Sequence, residues 1–297
     1  MRIEQTIDLD GPVHFVDYGG EGPPIVLVHG LGGSSENWLG VGPELAKVGQ
    51  VRALDLAGFG RTPLTATRGC SISENVTLLD RFLDEVVGEP AVLVGNSMGA
   101  MISTFETAQR PDRVAALVLV DSAVPYPEGT PIDPVVEMTF TTYADPNGED
   151  LVQAFVERMS PEETVRTGMA LSCYDVARVA PEIVAAHVQL QVERREMHWA
   201  NRALVEAARS LMDTNTLDER HYEAIKAITT PTLMIHGEHD RLIPLAAALA
   251  VAGLRSDWDI RILDGAGHAP HLEDPLRVAG EISRWLPTVL DLTEATA

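Results

Sequence analysis

Ala91-Val92-Leu93-Val94-Gly95-Asn96-Ser97-Met98-Gly99-Ala100 holds the change of pattern that decides this chain: four apolar residues, a serine flanked at two places by glycine, then a helix-like run from Met98 to Gln109. The G-x-S-x-G spacing sits where a strand turns directly into a helix. A turn that sharp holds the serine in a strained backbone conformation, and the glycines leave room for neighbouring chain to pass close by. Ser97 then stands at the carboxyl end of a strand and the N-terminus of a helix, whose dipole favours developing negative charge. The pentapeptide alone is common by chance; its strand-before, helix-after placement gives it meaning.

Outward from this turn, short apolar runs recur at Val13 to Tyr18, Ile25 to Val28, Val51 to Leu54, Val114 to Val120, Thr232 to Ile235 and Trp258 to Leu263, and with Ala91 to Val94 these read as strands. Helix-like stretches at Ser35 to Val48, Ser73 to Val87, Leu245 to Ala252 and Pro275 to Leu290 separate most of them. Strands alternating with helices imply an α/β fold, with a mainly parallel, doubly wound sheet covered on both faces. The first two strands have no helix between them, and Asp10-Gly11-Pro12 is a turn signal, so an antiparallel hairpin is expected at one edge.

One connection breaks the rhythm. From Ser122 to Thr230 there is no convincing strand, which is far more chain than a crossover needs. Its signals are helical: Ser160-Pro161-Glu162-Glu163 is a capping box with proline at the first helical position, Pro181-Glu182 opens a periodic run toward Trp199, and Asp218 caps a last helix leading back to the sheet. The expected organisation is a core domain from 1–121 and 231–297, with a helical cap at 122–230. Large apolar residues gather in the cap, among them Met138, Phe140, Tyr143, Phe155, Met159, Met169, Tyr174, Met197, Trp199 and Met212. They are suited to packing the helices together or to lining a pocket, and Trp199 is taken as a substrate contact.

Composition excludes several classes. The 297 residues are 45% hydrophobic, and acidic residues outnumber basic ones 44 to 22, for a formal charge of −22. That balance argues against binding a phosphate backbone, so no nucleic acid is expected, and it repels anionic membrane surfaces. No stretch has the length of a signal peptide or a membrane span, and a cytoplasmic protein is expected. Cys70 and Cys173 are far apart, without metal-ligand spacing, so neither metal nor cofactor is expected. Homo-oligomerisation is left open.

A serine at its ordinary pKa needs a base, and the base an orienting acid. Gly237-Glu238-His239-Asp240 follows the strand that starts at Thr232, and His268 follows the strand ending at Leu263 through Asp264-Gly265-Ala266-Gly267. Ser97, Asp240 and His268 therefore lie just beyond three strand ends. Asp240 is expected within hydrogen-bond reach of His268, and its rival Asp121, at the end of the strand before the cap, is not. His239 and His271 are expected at the surface or packed behind the pair. For the oxyanion, the loop His29-Gly30-Leu31-Gly32-Gly33 supplies the backbone N–H of Leu31, and Met98 supplies a second; Gly30 and Gly32 are expected to border the substrate. No phosphate-binding G-x-x-x-x-G-K-[ST] or G-x-G-x-x-G accompanies these glycines.

With HGLGG from His29, the segment Asp55 to Thr62, GNSMG from Gly95, GEHD from Gly237 and GAGH from Gly265, the chain resembles the α/β-hydrolase superfamily over the whole sheet, and the insertion looks like that family's helical cap. The resemblance implies a Ser-Asp-His triad and a structural role for Asp55 to Thr62. More narrowly the chain is similar to esterases and to meta-cleavage-product hydrolases, which split carbon–carbon bonds in ring-fission products of aromatics. The matching residues are GNSM, Asn37, Tyr174-Asp175 and Pro181-Glu182-Ile183-Val184. Departures are Ala269, where those enzymes carry tryptophan, and His187, where they carry arginine. Asn37 reads both as a pocket contact and as a helix-start residue. The expected function is hydrolysis of a hydrophobic ester or similar acyl compound through a Ser97 acyl-enzyme. The alternatives are carbon–carbon hydrolysis of a dienoate, or a ligand-binding protein on the same scaffold. A dienoate requires a cation, from Arg178, Arg194, Arg195, Arg202 or protonated His187.

Overall fold

The computed structural model describes residues 2–216 and 219–290. Its strands are β1 (Ile3–Asp8), β2 (Pro12–Gly19), β3 (Pro24–Val28), β4 (Gln50–Leu54), β5 (Ala91–Asn96), β6 (Val114–Val120), β7 (Thr232–Gly237) and β8 (Asp259–Leu263). They form one sheet in the order β1-β2-β4-β3-β5-β6-β7-β8, parallel from β4 to β8, with the β1–β2 and β2–β4 pairings antiparallel. Apart from two short 3₁₀ turns (Pro111–Arg113 and Val176–Arg178), the helices are α1 (Gly42–Leu45), α2 (Ile72–Phe82), α3 (Met98–Gln109), α4 (Pro134–Ala144), α5 (Gly148–Arg158), α6 (Pro161–Ser172), α7 (Pro181–Arg195), α8 (Ala200–Thr216), α9 (Glu219–Ala227), α10 (Leu245–Leu254), α11 (Pro270–Glu273) and α12 (Pro275–Val289), with turns described below.

The central strands are buried along their whole length because helices cover both faces. Successive side chains serve opposite cores. Val26, Val28, Leu93, Leu117 and Met234 pack with Leu79 and Phe82 of α2 and Met101 of α3, while Ile25, Leu27, Val92, Val118 and Ile235 pack with Leu45 of α1 and Ile282 and Leu286 of α12. That two-sided burial is why these strands read as unbroken apolar runs.

The edge hairpin turns at Asp10 and Gly11, both at positive φ, but its first strand, β1, lies outside the strands read from the sequence. Ile3–Asp8 is almost wholly exposed and carries no apolar run; pairing with β2 alone makes it a strand. The helix expected from Ser35 to Val48 is instead a 3₁₀ turn at Ser35–Trp38 followed by α1. Gly40 and Gly42-Pro43 interrupt it. The helix expected from Ser73 to Val87 ends in one π-helical turn at Leu83–Val87, closed by Gly88 in the left-handed region.

Between β6 and β7 the described residues contain helices and no strand. The Ser160 capping box forms, with Ser160 Oγ accepting from Glu163 N at 3.2 Å and the Glu163 carboxylate from Ser160 N at 2.7 Å. The run opened by Pro181 stops at Arg195, short of Trp199, and α8 starts afresh at Ala200. Asp218 lies outside the described residues. α4, α5 and α8 pack together, as do α6 and α7, whereas α9 lies against α3 of the core.

Candidate active site

β3 and β5 are neighbours, yet the chain leaves β3 for β4 on one side and β5 for β6 on the other. Their carboxyl ends therefore open a crevice, the place where an open α/β sheet binds its ligands. Two loops fill that crevice: His29 to Gly33 after β3, and the turn at Ser97 after β5.

Ser97 has φ 54° and ψ −117°, a strained conformation for a residue with a side chain. Three backbone contacts hold it: Ser97 N donates to Val120 O at 3.0 Å, Met101 N to Ser97 O at 3.1 Å, and Ala123 N to Ser97 O at 3.2 Å. Gly99 is required by close approach, since a Cβ there would stand 2.3 Å from Val28 O. Met98, the first residue of α3, carries an N–H with no acceptor inside the helix.

His268 is buried at the end of the loop after β8, and its Nδ1–H donates to Asp240 Oδ2 at 2.7 Å. The other oxygen of Asp240 accepts from Leu242 N at 2.8 Å and Ile243 N at 2.9 Å. Burial alone would raise the Asp240 pKa, but the charge and hydrogen bond of His268, together with His236 and the Ile243 N–H, outweigh it and hold the carboxyl below its usual range. With Nδ1 committed to Asp240, Nε2 is the ring nitrogen left to act as a base. Asn96 donates to Val120 O at 3.1 Å and to His268 O at 3.2 Å, tying the serine turn to the histidine loop. Asp121 makes no hydrogen bond to His268; its Oδ1 accepts from Gly237 N at 2.8 Å. Asp121, Asp240 and His268 each offer a donor atom within 4.8 Å of the others, so they are the cluster among the described residues that could hold a metal ion. An ion there would have to displace the His268–Asp240 hydrogen bond.

The loop after β3 is set by His29, whose role no local pattern in the glycine-rich stretch reveals. Its Nδ1–H donates to Gly30 O at 2.8 Å, its Nε2 accepts from Leu56 N at 3.0 Å, and burial keeps the ring neutral by lowering its pKa. Gly33 N holds the same Gly30 carbonyl at 3.1 Å. In a trans peptide C=O and N–H point opposite ways, so fixing Gly30 O fixes the direction of the Leu31 N–H. Gly30 itself lies against the serine turn; a Cβ on it would be 3.0 Å from Ser97 Cβ.

Ser97, His268, Gly30, Leu31, Gly32 and Asn37 line a common cavity of about 1580 Å³, whose outer wall comes from α4 to α8. Asn37 lines the cavity, and its Oδ1 accepts from Ser34 N at 2.9 Å in a capping box. Met138, Phe140 and Phe155 line the cavity, but Trp199 does not: it is buried in the core beside the Arg194 guanidinium, 5.7 Å from its ring centre. Tyr174 is also elsewhere, stacked on the exposed His239 at 4.2 Å. His271 is fully buried against Trp38, and burial pushes its pKa down to about 3. Asp55, in the loop after β4, is structural, accepting from His14 Nδ1, Ser35 N and Arg61 N.

Of the cationic candidates, Arg178 is paired with Asp274 and Gly265 O, Arg202 with Glu206, and Arg195 with the carbonyls of Val156 and Met159. Arg194 differs. It lines the cavity, stands over the Phe59 ring at 5.9 Å, has no hydrogen-bond or ion-pair partner among the described residues, and burial lowers its pKa to about 10. His187 also lines the cavity as a neutral ring, its Nδ1–H donating to Ile183 O at 2.8 Å. No helix among the described residues is long and apolar enough to cross a membrane.

Residues 25–281 match the model of a family described as the alpha/beta hydrolase family. The chain is 30% identical over 267 residues to the pimeloyl-[acyl-carrier protein] methyl ester esterase of Aromatoleum aromaticum, covering 85% of this chain and 94% of that protein. It is 28% identical to the 2-hydroxymuconate semialdehyde hydrolase of Pseudomonas sp. strain CF600, covering 90% and 88%. It also matches the bifunctional biotin biosynthesis protein of Cellvibrio japonicus, with 25% identity over 90% of this chain, and spans about half (48%) of that protein's length. Among solved structures, a mutant meta-cleavage product hydrolase superposes with a TM-score of 0.77 at 22% identity, covering 96% of this chain and 98% of that one.

Proposed function

We propose, from the premise that this chain belongs to the alpha/beta hydrolase family, that it is a serine hydrolase cleaving a hydrophobic ester or similar acyl compound through an acyl-enzyme on Ser97. The observation that carries this reading is the strained Ser97 turn facing the same cavity as His268, whose Nδ1 is held by Asp240 at 2.7 Å. His268 Nε2 takes the serine proton as Oγ attacks the acyl carbon. The N–H groups of Leu31 and Met98 receive the developing oxyanion, and His268 returns the proton to the leaving group. Water then attacks the acyl-enzyme by the same route. Serine at the turn, in place of the aspartate that halide or epoxide chemistry uses, argues against those activities.

The cavity exceeds the ~300–1,000 Å³ of an ordinary small-molecule site and its wall is largely apolar, which supports an extended hydrophobic substrate. Arg194 supports a substrate that also bears an anionic group, because an unpaired guanidinium in an apolar wall is costly unless a ligand completes it. The same arginine favours a second reading, carbon–carbon hydrolysis of a vinylogous diketone acid, with Arg194 doing what an arginine at position 187 would otherwise do. A fluorophosphonate probe should label Ser97 and separate an enzyme from a silent binder. A series of p-nitrophenyl esters run beside a dienoate ring-fission product separates the two chemistries: turnover of the dienoate alone would overturn the ester reading.

A further inference from the structure

Two buried carboxylates meet at adjacent strand ends, and the chemistry assigned above uses only one. Asp121 directly follows β6, with no solvent exposure and φ 45°, its N–H donating to Ile235 O at 2.9 Å. Gly237 N engages Oδ1 at 2.8 Å, while Oδ2 is buried and accepts from no donor among the described residues; the group beside it is another acceptor, the Asp240 carboxylate. The groups facing it are Asp240 after β7, His268 after β8, His236 on β7 and Glu273 of α11. None of these is a lysine or arginine, and no cation among the described residues pairs with Asp121. His236 is no proton source for Asp121: its Nε2–H is committed to Ile243 O at 3.0 Å, and its Nδ1, 3.6 Å from Asp121 Oδ1, presents a lone pair.

Two carboxylates this close, out of water and without a cation, do not both ionise. Asp240 has the better claim to the charge, since it accepts two backbone N–H groups and the His268 ring, whereas Asp121 accepts one. We propose that Asp121 is a positioning residue held as a neutral carboxylic acid, with its Oδ2 proton directed at Asp240, so that the pair presents a single negative charge to His268. Burial first, and the Asp240 charge second, push the Asp121 pKa up, in the same direction. The consequence for catalysis is direct: a second charge at this spot would stabilise the imidazolium and keep His268 from acting as a base at neutral pH.

This inference rests on the triad reading, and its test separates the two. Rates of fluorophosphonate labelling are measured against pH for the unmodified protein, Asp121→Asn and Asp240→Asn, with infrared difference spectra of the unmodified protein against Asp121→Asn. Loss of labelling in Asp240→Asn by about 10³-fold or more supports the triad. For Asp121, the expected result is a fall of less than about tenfold, an acid limb that stays in place, and loss of one protonated-carboxyl band at neutral pH, because the amide replaces an uncharged group by an uncharged group. An acid limb moved to lower pH, or no such band, would show that Asp121 is ionised. A loss as large as that of Asp240→Asn would make Asp121 the acid, and labelling abolished by EDTA and restored by a divalent cation would make the cluster a metal site. Any of these overturns the proposal.

Discussion

His268 Nδ1 and Asp240 Oδ2 lie 2.7 Å apart, joining the loops after β7 and β8, while the Leu242 and Ile243 N–H groups hold the other Asp240 oxygen. A histidine so held has one tautomer, with Nε2 unprotonated, and it shares the cavity with Ser97. Ser97→Ala and His268→Ala should each lower kcat by about 10⁴-fold or more with an unchanged far-ultraviolet circular dichroism spectrum, since nucleophile and base act as one unit. Retention of more than a tenth of the activity in either variant would sink the triad.

The grip of His29 on Gly30 O implies that a residue with no place in proton transfer orients the Leu31 N–H, the proposed oxyanion donor. His29→Asn should lower kcat by about 10²–10³-fold, the loss of one oxyanion donor, with KM little changed. A change in KM alone would assign the loop to substrate binding instead.

Arg194 sets stability against function. Arg194→Met removes an unpaired guanidinium from an apolar wall and should raise the melting temperature. The same variant should lose at least about tenfold in kcat/KM for an ester bearing a free carboxylate, with little change for the matching neutral ester. Equal losses on both esters would deny Arg194 a role in reading charge.

Glu106 of α3 is buried with neither carboxylate oxygen partnered among the described residues, and burial, followed by the nearby Asp80 charge, pushes its pKa from 4.5 up to about 8 against the opposing Arg110. The folded chain thus holds a proton that the unfolded chain releases. Stability from this group is full below pH 4.5 and is lost as pH rises toward 8, by at most about 1.4 kcal/mol per pH unit. Melting curves of Glu106→Gln should therefore gain on the unmodified protein as pH rises from 5 to 8. A constant difference across that range would mean that Glu106 is already ionised.

Much of this molecule is legible in its sequence, for reasons that are local. β3, β5, β6 and β7 are apolar on both faces because both faces are covered, and Gly99 beside Ser97 is a glycine because Val28 O passes where a side chain would stand. β1 escaped notice because an exposed edge strand has no pattern of its own, and the Ser35 to Val48 segment misled because its helical periodicity ignores Gly40 and Gly42-Pro43. Trp199 looked like a pocket residue because size and hydrophobicity do not tell a wall from a core.

The amino-acid sequence alone determined the sheet, the sharp turn at Ser97 and the order in which Ser97, Asp240 and His268 reach the strand ends, because each rests on periodicity or on backbone demands within a few residues. Tertiary structure alone decided which of several arginines stays unpaired in the cavity, that His29 orients the Leu31 peptide, and that Asp121 comes to rest against Asp240. These are relations between segments distant in sequence, and the charge, burial and direction of a side chain exist only once those segments have packed.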